Sequence, residues 1–260
     1  MPFRQRLDMK SSCGVRPAAT VMLARETGGA VELYMLRRSS RSAFLPEMFV
    51  FPGGAVDAED AEIARTQLLR ASELPAEGRE PSDPAFEVAA LREAFEESGM
   101  LLAARPDGSG ADLDSTQLRG ARAALHAGTT TFSEFLRGLD IVLDARNLWH
   151  FSHWITPPSE NRRFDTHFYL ASAPADQIAS TDEHETFAGL WISPQEALRR
   201  HEAGTFPMIF PTIMHLRRLA DFSSLADLSV FARTKEINVV LPLERGNRDF
   251  WFQPGLESRW

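Results

Sequence analysis

The chain is nearly free of cysteine: Cys13 stands alone among 260 residues. One thiol cannot build a disulfide framework or a thiolate metal site within the chain, which predicts a reducing compartment. No apolar run approaches the ~20 residues that a membrane span needs. Met1 to Lys10 is mixed and charged, without the apolar stretch of a signal peptide. These absences predict a cytoplasmic protein with no membrane partner. Positive charge is also in short supply, with 28 Lys and Arg against 36 Asp and Glu and a formal net charge of -8. Polyanions are usually held by basic surfaces, so nucleic acid is not an expected partner. A small phosphorylated ligand stays open, because a bound divalent cation can neutralise it locally. No internal repeat is visible, and nothing in the sequence fixes an oligomeric state.

What is present is an ordinary globular composition, 43% hydrophobic and 25% charged. The length suits one substantial core and does not require a second. One domain over residues 17–245 is expected, with a loose leader at 1–16 and a tail at 246–260. Ala18 to Ala24 and Val31 to Leu36 read as a hairpin around a Gly-containing turn, and Phe49-Val50-Phe51 as a short strand ended by Pro52-Gly53-Gly54. A helix is expected near 58–72, and a second from Pro84 to Ser98 with Gly99 as its stop. Residues 104–146 read as a helical insertion. Leu148 to Ile155, Phe164 to Ala171 and Gly189 to Ile192 read as strands. Ser193 is an N-cap candidate for a helix through Arg200, and further helices are expected near 208–220 and 224–233, with a late strand at Ile237 to Leu243. The mixture of strands and helices predicts an α/β fold, a mixed sheet with helices on its faces.

The segment Leu91-Arg92-Glu93-Ala94-Phe95-Glu96-Glu97-Ser98-Gly99-Met100 carries the chemistry. At roughly 100° per residue, Val88, Leu91 and Phe95 share a core-facing side. Glu93, Glu96 and Glu97 share another, at spacings where side chains act together. Three clustered carboxylates repel one another unless a cation lies between them, and oxygen ligands suit Mg²⁺ or Mn²⁺. The alternative is a solvated acidic face with Arg92 as a local ion-pair partner.

With Phe51-Pro52-Gly53-Gly54 upstream, this segment resembles the Nudix hydrolase family. That family's box reads Gly, five residues, Glu, seven residues, then Arg-Glu-apolar-x-Glu-Glu-x-Gly-apolar. Arg92, Glu93, Ala94, Glu96, Glu97, Gly99 and Met100 match its second half. Gly54 and Arg92 lie 38 positions apart, more than twice the uninterrupted separation, so the box holds an insertion, placed at 57–83. Seven residues separate Pro84 from Arg92, so Pro84 stands where that count asks for Glu, and Glu87 and Asp83 are the candidate substitutes. Phe44-Leu45-Pro46, Trp154-Ile155-Thr156-Pro157 and Arg163-Phe164-Asp165-Thr166 make the chain similar to the branch containing peroxisomal coenzyme A diphosphatases.

The resemblance implies a Nudix α/β/α sandwich with helical insertions. It implies metal-dependent hydrolysis of a diphosphate linkage in a small molecule, with Mg²⁺ or Mn²⁺ held by Glu93, Glu96 and Glu97. Arg92 would orient a carboxylate, and the backbone of Gly53 and Gly54 would meet metal or substrate. A general base from a later loop is expected at Glu185 or Glu183, with His184 a third candidate. Arg37, Arg38, Arg41 and Arg163 are candidates for phosphate recognition, given the bidentate geometry of guanidinium. Three functions stay open on sequence: a coenzyme A or acyl-coenzyme A diphosphatase releasing 3′,5′-ADP and a phosphopantetheine; a hydrolase of ADP-ribose, a dinucleotide or a nucleotide sugar; and a Nudix-fold binding module without turnover.

Overall fold

The computed structural model describes residues 14–40, 45–72, 82–180, 186–246 and 249–260. Strands β1 (Val15–Thr27) and β2 (Ala30–Arg38) form the expected hairpin, both longer than the apolar runs that announced them. They pair only near the turn, from Ala24↔Leu33 to Thr27↔Ala30, and then part. The Phe-Pro-Gly-Gly stretch fills the fork. Its first residues form β3 (Phe49–Val50) on β2, and its last form β4 (Gly53–Ala55) on β1.

Helix α1 (Ala58–Ile63) is shorter than the helix expected over 58–72. Past Ile63 the chain turns, Thr66 bonding back to the Ile63 carbonyl, and then extends as β5 (Leu69–Arg70). The long helix α2 (Pro84–Ser98) follows, with the predicted bounds. The 104–146 region holds two helices, α3 (Ser115–His126) and α4 (Phe132–Gly138), but it is not wholly helical. β6 (Ala103–Ala104) precedes them and β7 (Val142–Asp144) follows, and these two strands make a small sheet with β5.

β8 (Leu148–Ile155), β9 (Arg163–Ser172) and β10 (Thr186–Ile192) return to the main sheet. The helices α5 (Pro194–Glu202), α6 (Phe210–Leu219) and α7 (Leu225–Thr234) come next, α5 capped by Ser193 as anticipated. The late strand is broken into β11 (Val239–Val240) and β12 (Leu243–Glu244), with Pro242 between them, a residue that has no N–H for a ladder. β12 pairs with β13 (Phe250–Trp251).

The main sheet runs β10-β2-β1-β9-β8-β11, with β1–β9 and β8–β11 parallel and the other pairs antiparallel. Side chains alternate across it, as a strand period of two requires. Val21, Leu23, Tyr169 and Ala171 enter a core beneath α2, with Leu91 and Phe95. Met22, Phe168 and Leu170 enter a second core on the opposite face, with Leu216 of α6 and Leu228 of α7. The result is a mixed α/β/α sandwich. Among the described residues, no helix is long and apolar enough to cross a membrane.

Candidate active site

Helix α2 is positioned by strong local signals. The Asp83 carboxylate accepts from the Ala85 N–H at 2.9 Å and Pro84 occupies the first turn. Gly99 ends the helix in the left-handed region (φ 72°), where a side chain would be strained. Val88, Leu91 and Phe95 face the core as their spacing predicts. The acidic side is not a solvated face, however: Glu93 is 9% and Glu97 8% exposed.

Both carboxylates lie over the Gly53–Gly54 backbone. The Gly53 N–H donates to Glu97 Oε2 at 2.9 Å. A Cβ at Gly54 would collide with the Glu93 carboxylate, which holds its place only because Gly54 has no side chain. The fork between β1 and β2 therefore brings the first half of the motif against its second half.

Arg92 is buried and fully engaged. Its Nε donates to Asp60 Oδ1 at 2.9 Å and one terminal nitrogen to Asp60 Oδ2 at 3.0 Å. That nitrogen also donates to the Ala55 carbonyl (3.0 Å), and the other reaches Glu93 (2.8 Å) and Glu96 (3.0 Å). This corrects the search for the missing box acid near Pro84. Asp60 follows Gly54 with five residues between them, is wholly buried, and meets the arginine. Asp83 is spent on capping α2, and Glu87 accepts from the Ser72 hydroxyl at 2.7 Å. Counting forward from Gly54 would have found Asp60, where counting back from Arg92 met Pro84.

Burial pushes the Glu93 carboxyl up to about 7 against the opposing pull of Arg92, with Glu96 adding repulsion. Burial likewise raises Glu96, again opposed by Arg92. Arg92 itself is held above the ordinary guanidinium range: burial works against its charge, but hydrogen bonding to Asp60 and the field of Glu93 outweigh it. Tyr34 lies in the same field. Burial raises its hydroxyl to about 12, with Arg122 opposing and Glu97 adding to the rise. One arginine shared among Asp60, Glu93 and Glu96 leaves negative charge in a desolvated place. Oxygen donors beside a bare glycine backbone are a donor set that fits a hard divalent cation.

The other candidates have partners of their own or lie outside the described residues. Arg37 pairs with Glu47 and sits over the Phe49 ring, 6.0 Å from its centroid. The backbone of Arg38 bonds to the Met48 carbonyl (3.0 Å) at the end of β2. Arg163 is the first residue of β9, and its guanidinium donates to the Thr156 carbonyl at 3.0 Å. Arg41, Glu183, His184 and Glu185 lie outside the described residues. Arg122 of α3 was not anticipated. It is buried and donates to the Glu96 carbonyl (2.6 Å) and the Ser180 carbonyl (2.8 Å), tying the helical insertion to the end of α2.

A chain that folds a strand, a Gly-Gly turn and a carboxylate-bearing helix together in this way belongs to the Nudix hydrolase family, whose members cleave diphosphate linkages. Within that family the match is to the NUDT19 Nudix domain, over residues 63–219. The chain is 33% identical to acyl-coenzyme A diphosphatase NUDT19 of Gallus gallus, over 85% of this chain and 72% of that protein. It is 30% identical to the Homo sapiens protein of the same description, over 76% of this chain and 63% of that one. A crystal structure of a Nudix hydrolase from Alicyclobacillus acidocaldarius superposes with a TM-score of 0.75 at 29% identity, covering 85% of this chain and 97% of that chain. The chain spans between 60% and 72% of the length of these curated relatives and of a Caenorhabditis elegans putative nudix hydrolase.

Proposed function

We propose that the chain hydrolyses the diphosphate linkage of coenzyme A or an acyl-coenzyme A, giving 3′,5′-ADP and a phosphopantetheine. The observation that carries the reading is the carboxylate cluster of buried Glu93 and Glu97 with half-buried Glu96, in which Arg92 holds Glu93 and Glu96 and the bare Gly53–Gly54 backbone holds Glu97 and meets Glu93. The relatives described as acyl-coenzyme A diphosphatases support the choice of substrate. The catalytic unit in this reading is a Nudix domain over residues 17–245, its box interrupted after Asp60, inside the expected 57–83, with a helical insertion at 104–146.

In the reaction a water oxygen bonds to one phosphorus, and the bridging oxygen leaves with the other phosphate. Glu93, Glu96 and Glu97 are the residues that would hold Mg²⁺ or Mn²⁺. When bound, such an ion supplies charge neutralisation at the diphosphate and lowers the pKa of water. Arg92 fixes the rotamers of Glu93 and Glu96 through its two short contacts, and Asp60 fixes Arg92. The Gly53 N–H holds Glu97 one helical turn from Glu93. Glu185 or Glu183 is the proposed proton acceptor from water, and Arg37, Arg38, Arg41 and Arg163 are the proposed contacts to substrate phosphate.

The test is turnover of coenzyme A, acetyl-coenzyme A, ADP-ribose and NADH by the purified chain, with Mg²⁺, Mn²⁺ or chelator. Preference for the coenzyme A compounds, abolished by chelator, is the expected result. Preference for ADP-ribose or NADH would overturn the substrate, and turnover undiminished by chelator would overturn the metal.

A further inference from the structure

A second cluster of ligating side chains lies on the α2 side of the sheet, where β8 and β9 pair. His153 faces His167 directly across the ladder, and Asp165 is two residues from His167 on the same face. His153 Nε2 and Asp165 Oδ1 are hydrogen-bonded. The rings of His153 and His167 are 4.2 Å apart, centroid to centroid. One donor atom from each of His153, Asp165 and His167 lies within 4.8 Å of the others.

From this geometry we propose that His153, Asp165 and His167 form a binding site for a borderline divalent ion of the Zn²⁺ class, separate from the glutamates of α2.

The donor set decides the kind of metal. Two imidazoles and one carboxylate suit Zn²⁺ and its transition-metal neighbours, whereas Mg²⁺ prefers all-oxygen surroundings. Ligand atoms on a tetrahedral ion at ~2.0–2.1 Å stand roughly 3.3 Å apart, so small side-chain rotations close the site. Three protein ligands leave a fourth position. His153 and Asp165 have side-chain exposures of 19% and 38%, so that position opens towards water. His167 supplies the third ligand from β9. Its Nδ1 is buried without a hydrogen-bond partner among the described residues, a cost that a bond to metal or water would offset. The rings of Phe86, 4.1 Å away, and His150, stacked at 4.8 Å, hold the His167 imidazole in place.

The two sites are distinct in position as well as chemistry. Phe86 covers His167 from the first turn of α2, and Glu93 comes seven residues later. At 1.5 Å per residue that is roughly 10 Å along the helix axis.

The decisive experiment titrates the full chain with Co²⁺ as probe, with excess Mg²⁺ present to occupy oxygen-rich sites. We expect one equivalent to give the intense visible bands of four- or five-coordinate cobalt, and Zn²⁺ to displace it. X-ray absorption on the zinc-loaded chain should count two imidazole ligands, a readout that needs no variant. In His153→Gln and Asp165→Asn, Zn²⁺ affinity should fall by more than the ~10–100-fold typical of losing an outer-shell partner. A weak six-coordinate cobalt spectrum overturns the site. So does a zinc spectrum without imidazole, or undiminished binding in both folded variants.

Discussion

Glu93 and Glu97 stand one turn apart, yet the chain holds them differently. Glu97 takes a backbone N–H from Gly53, while Glu93 takes a guanidinium nitrogen and fills the space that a side chain at Gly54 would need. Glu97→Gln keeps an acceptor for Gly53 and removes a charge. Turnover should fall roughly 10²–10³-fold, the range lost with a single electrostatic group in an active site, and the unfolding midpoint in chelator should stay within a few degrees. Full activity, or loss of the fold, would remove Glu97 from the proposed machinery. Gly54→Ala tests the neighbouring contact by steric means. Its methyl group occupies the space of the Glu93 carboxylate, so metal affinity and turnover should drop together while circular dichroism is unchanged. Wild-type turnover in this variant would mean that the close approach is not functional.

At the scale of elements, α1 and α2 are joined by a buried ion pair that bridges the insertion. Asp60 has no exposure and gives both oxygens to Arg92. Removing one member of such a pair leaves an uncompensated buried charge, which costs ~3–5 kcal/mol. Asp60→Ala should lower the unfolding free energy by about that much in urea titrations, and a loss under ~1 kcal/mol would show that Arg92 finds another partner. The sequence made α2 legible because Asp83, Pro84 and Gly99 are local signals that act within one turn. It also made Glu93, Glu96 and Glu97 legible, since their spacing is a property of the helix alone. It did not reveal that the region past Ile63 becomes a strand, because β5 pairs with β7 at Leu69↔Leu143, a partner far along the chain. Arg122 escaped notice for the same reason: its acceptors, the Glu96 and Ser180 carbonyls, are brought to it only by tertiary packing.

Across the whole molecule the sheet separates two cores, and they carry different kinds of polar burden. The α2 core borders the carboxylates, whereas the opposite core encloses His215 of α6 with no exposure at all. His215 Nε2 meets the Ser152 hydroxyl at 2.6 Å and its Nδ1 meets the Pro211 carbonyl at 2.7 Å. The ring of Trp260 packs against it at 5.1 Å, closing that core. Burial depresses this imidazole to about 3, although the Pro211 carbonyl favours its charged form. The unfolded value is near 6.5, so the unfolded chain binds this proton first. Stability from neutral His215 is therefore present above about pH 6.5 and is lost progressively as the pH falls towards 3. Other groups also titrate in this window, notably Glu93, whose raised value acts in the opposite direction. They titrate alike in wild type and in a His215→Gln variant, so the comparison isolates His215. The variant should be clearly less stable at about pH 7, and the difference should shrink by about pH 4 as wild type loses what the variant never had. Urea unfolding of both proteins at these two pH values measures the gap, and a gap that stays constant would mean that His215 does not carry this acid sensitivity.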